Sequence, residues 1–258
     1  MEKITVIKVG GKIVEETDSL HRLLDDIAAM PGLKVLVHGG GRSATALAQR
    51  LGIETVMIEG RRVTTAEMLD VVTMVYGGKV NKNIVAQLQA RKINALGLTG
   101  ADMNVIRGHK RPVKTVDYGW VGDVDAVDGG MLAALISKGI VPVMAPLIHD
   151  GNGNMLNTNA DTIAAETAKS LVPYFDVTLV FCFEKNGVLR DAEDDNSVIS
   201  RIDSQSYPSL VEQGVVSGGM LPKLQNAFDA LHAGVKEVVI TKAENLADCE
   251  AGTHVVEK

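Results

Sequence analysis

Two apolar runs near the start of the chain, Ile4–Val9 and Lys34–His38, each end in a glycine-rich turn and are followed by a helical pattern. Strand, tight turn and helix, repeated, is the pattern of a parallel sheet covered by helices. After the first run, Asp18–Met30 carries Leu20, Leu23, Leu24 and Ile27 at helical spacing, and Pro31-Gly32 stops it. After the second, Ser43–Leu51 reads as a helix. The same alternation continues to the C-terminus, with strands expected at Ala95–Leu98, Ile140–Ala145, Val177–Phe181, Glu237–Thr241 and Thr253–Val256. Helices are expected at Met131–Ser137, Ala160–Leu171, Tyr207–Gln213 and Pro222–His232. Residues 100–129 read as a strand-and-turn excursion, with alternation around Met103–Arg107 and Trp120–Val124, and Arg190–Asn196 as an exposed turn.

The stretch from Ala66 to about Arg91 predicts one long helix, opened by a capping box of Thr64 and Glu67 and kinked at Gly77-Gly78. Met68, Leu69, Val72 and Val75 give it more apolar surface than a helix over a sheet requires. Core burial and a dimer seam both account for that surface; Met74 and the other methionines read as packing.

Bulk properties narrow the function classes. The 258 residues carry a formal charge of −6, so no global field draws in nucleic acid or anionic membrane. Aromatic residues are 3% of the chain, too few for a base-stacking platform. Cys182 and Cys249 lie in no metal-ligand or disulfide spacing, which fits a reducing compartment. The first strand begins at Ile4, leaving no room for a signal peptide, and no apolar run is long enough to span a membrane. A cytoplasmic α/β protein is expected.

The glycine turns carry the first chemical signal. Lys8-Val9-Gly10-Gly11-Lys12 and His38-Gly39-Gly40-Gly41-Arg42 would let backbone N–H groups approach an anion at a helix start. Neither is a Walker A loop. Gly39-Gly40-Gly41-Arg42-Ser43-Ala44 fits the dinucleotide fingerprint G-x-G-x-x-A, with Glu59 about twenty residues on as a ribose ligand. That oxidoreductase reading is weakened because the motif follows the second strand and leaves the first turn unexplained. Tight strand–helix turns also use glycine for purely structural reasons. His38 reads as a core-edge histidine.

Three further segments complete the pattern: Gly60-Arg61-Arg62-Val63-Thr64, Asn157-Thr158-Asn159-Ala160-Asp161, and Ser217-Gly218-Gly219-Met220-Leu221-Pro222-Lys223. With the two glycine turns, in this order, the chain closely resembles the amino-acid kinase family, and most of all its acetylglutamate branch. The resemblance runs from Ile4 to Val256. It implies a three-layer αβα sandwich around a mainly parallel open sheet, one domain over residues 1–258. An amino-acid-binding and dimerisation lobe would span 1–172 and a nucleotide-binding lobe 173–258. It implies transfer of the γ-phosphoryl of ATP, with Mg²⁺, onto the γ-carboxylate of an N-acylated glutamate, in arginine biosynthesis. Other branches (carbamate, glutamate or aspartate kinases) and a non-catalytic sensor are the alternatives within the fold.

By the same resemblance Lys8 and Lys223 would stabilise the moving phosphoryl group, and Asp161 would hold the two lysines in place. Gly10, Gly11, Gly40 and Gly41 would supply backbone donors to phosphoryl oxygens and substrate. Arg62, with Arg61 as competitor, would grip the α-carboxylate in the bidentate manner that lysine cannot reproduce, and Asn157 would bind substrate polar groups. The nucleotide would meet Glu184, Lys185, Gly187, Val188 and Leu189, and Val215, Val216 and Ser217. No protein ligand is assigned to Mg²⁺. Cys182-Phe183-Glu184-Lys185 departs from the Thr-Asp that usually ends the nucleotide strand. The basic segment His109–Lys114 leaves room for a longer, anionic acyl group such as succinyl beside acetyl. Arginine-inhibited members carry an N-terminal helix before the first strand. Its absence here implies an arginine-insensitive homodimer, assembled partly through Met68–Val75.

Overall fold

The computed structural model describes residues 1–58, 60–246, 248 and 251–257; Glu59 and Cys249, noted above, lie outside them. In the first part of the chain, β1 (Lys3–Val9) leads into α1 (Gly11–Glu15) and α2 (Thr17–Ala29). Then β2 (Leu33–His38) leads into α3 (Gly41–Arg50) and a small hairpin of β3 (Met57–Ile58) and β4 (Arg61–Arg62). Next come α4 (Ala66–Val72), a π-helical segment (Thr73–Val80) and α5 (Asn81–Ala90). The middle holds β5 (Ala95–Leu98), β6 (Ile106–Lys110), β7 (Gly122–Val127) and α6 (Gly129–Ile136). These are followed by β8 (Val141–Met144), β9 (Leu147–His149), β10 (Met155–Asn157) and α7 (Ala160–Leu171). The last part is β11 (Asp176–Phe183), β12 (Arg201–Asp203), α8 (Tyr207–Glu212), α9 (Met220–His232), β13 (Glu237–Lys242) and β14 (Thr253–Val256).

Eight strands form one sheet in the order β12-β14-β13-β11-β1-β2-β8-β5, parallel throughout except for the β13–β14 pair. β1 lies at its centre, pairing with β11 on one side and β2 on the other, so early and late parts of the chain share one continuous sheet. Side chains alternate between its faces. Ile4, Val6, Val35, Val37, Leu179 and Phe181 pack with residues of α6, α7 and α9. Ile7, Val9, Leu36, Val180 and Cys182 pack with α2, α3, α4 and α5 on the other side. The expected three-layer sandwich is what forms. Its alternation also decides where chemistry is placed: Lys8 shares a face with Ile4 and Val6, under α7 and α9, while His38 shares one with Leu36, under α5.

Several sequence expectations shift. The excursion at 100–129 is real, but its strands lie at Ile106–Lys110 and Gly122–Val127, in a second sheet ordered β10-β9-β6-β7. Met103 instead sits in a short 3-10 turn with positive φ. The long helix is not regular α-helix at Gly77-Gly78. It widens through the π-helical turns across both glycines and runs on into α5. Thr65, not Thr64, caps α4, accepting a hydrogen bond from the Met68 amide; Thr64 is buried and bonded elsewhere. Met68, Val72 and Val75 are buried within the protomer, so they form no exposed seam. Met74, expected to pack with the other methionines, is exposed, as are Met1, Met57 and Met103.

Candidate active site

The five segments singled out in the sequence converge on one cleft of about 430 Å³ at the C-terminal ends of β1 and β2. Lys8, Gly40, Gly41, Arg62, Asn157 and Asp161 all line it. Open α/β sheets bind ligands in this position.

At its centre is a three-residue clamp. Asn159 caps α7 by accepting the Asp161 amide at 2.7 Å, which places Asp161 in the first turn of that helix. One Asp161 oxygen lies 2.7 Å from Lys8 Nζ and the other accepts from Lys223 Nζ at 2.9 Å. Lys223 reaches this point from α9, with its ammonium 4.8 Å from the centre of the Phe181 ring. All three side chains are largely buried. Burial alone would raise the Asp161 carboxyl, but the charges and hydrogen bonds of Lys8 and Lys223 outweigh it and hold it well below the usual carboxylate range. Burial pulls Lys223 down from its ordinary value; Asp161 opposes that and Lys8 adds to it. Two ammonium groups share one carboxylate, leaving a surplus positive charge at the cleft. Each ammonium also keeps further N–H donors.

The two glycine turns touch. A Cβ on Gly39 would stand 3.0 Å from the Gly11 amide, and one on Gly11 3.3 Å from the Gly40 amide. This close approach is what the glycines permit. The Gly11, Gly40 and Gly41 N–H groups have no acceptor among the described residues, at the starts of α1 and α3. Gly10 differs from expectation: its N–H donates to the Cys182 carbonyl at 3.1 Å, extending the β1–β11 ladder, so it is not a free donor. A second ladder-like bond, Gly39 N–H to the Val9 carbonyl at 3.1 Å, ties the turns together.

On the far wall Arg62 is buried and donates through Nη2 to the Gly41 carbonyl at 2.8 Å and to Thr45 Oγ1 at 2.9 Å. It therefore buttresses the second glycine turn while Arg61 stands exposed beside it. Asn157 donates through Nδ2 to Thr64 Oγ1 at 3.0 Å, joining the two sides of the wall. Three residues here carry no individual site role in the sequence. Thr64 reads as a helix cap from its spacing to Glu67. Tyr76 is brought against Gly40 by the π-helical turn, with ring atoms 3.0 Å from where a Gly40 Cβ would lie. Arg111, at the end of the basic segment's strand, lines the cleft and is held by Asp123. Its place in a basic segment was the available signal.

The expected nucleotide residues are not gathered in the same way. Glu184 is exposed and pairs with Lys12 at 3.3 Å, beside a small separate hollow of about 130 Å³. Lys185 turns to Asp195 at 3.1 Å, within its own loop. Gly187 and Val188 pack against β14, where the Val188 amide donates to Thr253 Oγ1 at 2.8 Å, and Leu189 bridges to Val198. Val216 is in the core, Val215 is half-buried and Ser217 is exposed. Gly219 and Pro222, next to them, do line the main cleft.

The model of the amino acid kinase family matches residues 3–242. The chain belongs to the amino acid kinase family. Among its relatives in this family, the acetylglutamate kinase of Bacteroides thetaiotaomicron is 68% identical over 254 residues, covering 98% of each chain. That of Bacteroides fragilis is 66% identical over 98% of this chain and 97% of its own. Among solved structures, an N-acetylglutamate synthase from Neisseria gonorrhoeae superposes with a TM-score of 0.85 at 22% identity, over 99% of this chain and 59% of that one. The last likeness is one of fold.

Proposed function

We propose that this family member transfers the γ-phosphoryl group of ATP to the γ-carboxylate of an N-acylated L-glutamate, N-acetyl-L-glutamate foremost, in arginine biosynthesis. It is a phosphotransferase with a carboxyl acceptor. The observation that carries this reading is the clamp: Lys8 and Lys223 on opposite oxygens of Asp161, beside the cleft that Gly40 and Gly41 also line. Relatives at 66–68% identity bearing that activity's name support the choice of substrate.

The chemistry asks for little more. A γ-carboxylate, with an ordinary pKa of about 4.3, is ionised at neutral pH and needs no general base. Asp161, held ionised between two lysines, is an orienter and takes no proton. A carboxylate oxygen bonds to the γ-phosphorus as the bond from phosphorus to the β-bridging oxygen breaks, giving an acyl phosphate and ADP. Both reactants are anionic, so positioning and charge neutralisation dominate. Lys8 and Lys223 supply the charge and the glycine amides the oriented dipoles. Arg62 and Asn157 fix the amino-acid side, and Glu184, Lys185 and the 215–217 turn serve the nucleotide side. ATP enters as its Mg²⁺ complex. Asp161 is engaged by lysines, and Mg²⁺ favours phosphate oxygens and water, which would carry the ion.

In this reading residues 1–172 form the amino-acid lobe and 173–258 the nucleotide lobe, with α7 ending just before the boundary. The protein works in the cytoplasm as a homodimer, for which light scattering is the check. No helix among the described residues is long and apolar enough to cross a membrane. Arg111 in the cleft favours one second reading, a longer anionic acyl group such as succinyl. Incubation with MgATP and hydroxylamine, with acetylglutamate, succinylglutamate, glutamate or aspartate in separate tubes, tests both. Hydroxamate formed with an acylated glutamate and lost in Lys8→Ala is the expected result. Product with free glutamate or aspartate alone would move the enzyme to another branch, and none in any tube would overturn the proposal.

A further inference from the structure

His38 ends β2 on the face away from the clamp, fully buried, and the phosphoryl-transfer reading gives it no task. Its Nδ1 lies 2.7 Å from the Gly39 carbonyl oxygen and its Nε2 3.1 Å from Asn81 Nδ2. A carbonyl can only accept, so Nδ1 must carry a proton. Asn81 Nδ2 also donates to the Val143 carbonyl at 2.9 Å. That second carbonyl fixes the amide orientation, so the Asn81 atom facing His38 is a donor and Nε2 must accept. Two independent carbonyls thus select the same neutral tautomer. Burial agrees, holding the ring down to about 4, against the Gly39 bond and with help from the Lys82 charge. The arrangement leaves Asn81 Oδ1 buried without a partner among the described residues, a cost the chain carries to keep this orientation.

The Gly39 oxygen and the Gly40 N–H belong to one planar peptide group and point in opposite directions. We propose that His38 is a positioning residue: as the Nδ1–H tautomer it clamps the Gly39–Gly40 peptide so that the Gly40 amide is presented, pre-oriented, to the anion in the cleft. A hydrogen bond on the carbonyl also polarises the N–H at the other end of the group. Tyr76 closes the other side of Gly40, leaving that peptide little freedom to rotate. The inference rests on the reading of the cleft as a phosphoryl-transfer site, because it gives the Gly40 donor its purpose.

Two substitutions separate positioning from filling. In His38→Asn the amide nitrogen takes the place of Nδ1 and still reaches the Gly39 carbonyl. In His38→Gln the terminal amide takes the place of Nε2, keeps Asn81 and loses Gly39. We expect kcat/KM for acylglutamate within roughly fivefold of wild type in His38→Asn, and lower by about 10²-fold in His38→Gln, the range for a lost preorganised donor. Thermal stability should rank the other way, because glutamine fills the buried volume better. Activity that follows stability, glutamine above asparagine, overturns the proposal. Imidazole ¹⁵N NMR of the wild type, assigned by difference against His38→Asn among the six histidines, should show a protonated Nδ1. A protonated Nε2 alone overturns the proposal too, and this measurement stands if His38→Gln fails to fold. Were the wild type to turn over no acylglutamate, the phosphoryl-transfer reading would fall alone. ATP affinity would then be ranked in the same two variants: asparagine above glutamine supports the positioning role, and the reverse sinks it.

Discussion

The residues proposed to meet the two substrates are placed by different rules. On the amino-acid side, Arg62 and Asn157 are buried and bonded to partners far away in sequence, Gly41, Thr45 and Thr64. On the nucleotide side, Glu184 and Lys185 have side chains 55% and 47% exposed, and Lys185 is paired within its own loop. One wall is held by the fold's own contacts; the residues proposed to meet the nucleotide stand outside the cleft, paired with Lys12 or within their own loop. The clamp of Lys8, Asp161 and Lys223 belongs to the first kind. Preorganised charge is where an enzyme of this type gains most of its rate, so substitutions should separate the two walls by the size of their effects.

The largest loss should come from Lys8→Ala. Removing a buried, oriented charge from the transferring group should cost about 3–4 kcal/mol in the barrier, a fall of roughly 10²–10³ in kcat. The KM values should change far less, because the charge develops on the phosphoryl group during transfer. A kcat within tenfold of wild type would break the idea that the central clamp is the catalytic core.

Asp161→Asn comes next, and its main readout is stability. The substitution leaves two buried ammonium groups without their counter-ion, which should destabilise the fold by about 3 kcal/mol. The pH dependence has a definite sign. A carboxyl whose folded-state value is depressed contributes stability that is present above the unfolded-state value, about 3.9, and is lost as pH falls towards the folded-state value. Wild-type unfolding free energy should therefore drop steeply below about pH 4, and the variant's should be flatter there. Parallel acid-side curves from urea titrations would show that Asp161 is not held as described.

This contrast was only half visible in the sequence. The strand that carries Lys8, read as Ile4–Val9, and the helix that carries Asp161, read as Ala160–Leu171, follow from local pattern, and both form. What stayed hidden depends on contacts across the chain. Thr64 looks like a cap from its spacing to Glu67, but its partner is Asn157, 93 residues away. Tyr76 reaches Gly40 only because the helix widens into π-helical turns, which no apolar spacing announces. Gly10 has the same composition cue as Gly11, yet its amide is used by β11, a strand that starts more than 160 residues later. Met68, Val72 and Val75 looked surplus to a helix covering one sheet because the neighbouring helices that also bury them were not yet in place.

Arg62→Lys is a smaller test of the amino-acid wall. Lysine can keep the charge but cannot donate to the Gly41 carbonyl and Thr45 while also meeting a carboxylate with a planar fork. A charge-assisted hydrogen bond contributes about 1.5–3 kcal/mol. The expected result is a rise in KM for the acylglutamate of roughly 10–100-fold, with KM for ATP nearly unchanged. An equal rise in both would mean that Arg62 acts through the shared glycine turn rather than on the substrate.

The smallest effect should come from the residues proposed to meet the nucleotide. Lys185→Ala removes an exposed pair with Asp195, of a kind that contributes about 0–1 kcal/mol at most. If Lys185 stays in its loop when ATP binds, KM for ATP should change less than about twofold. If instead ATP draws Lys185 out, the free enzyme must first give up that pair. Asp195→Asn would then improve ATP affinity modestly while Lys185→Ala weakened it. Opposite signs in these two variants, measured by isothermal titration with MgATP, would make the nucleotide wall a ligand-assembled site. Two flat results would leave Lys185 a surface residue, and the difference between the walls would be sharper still.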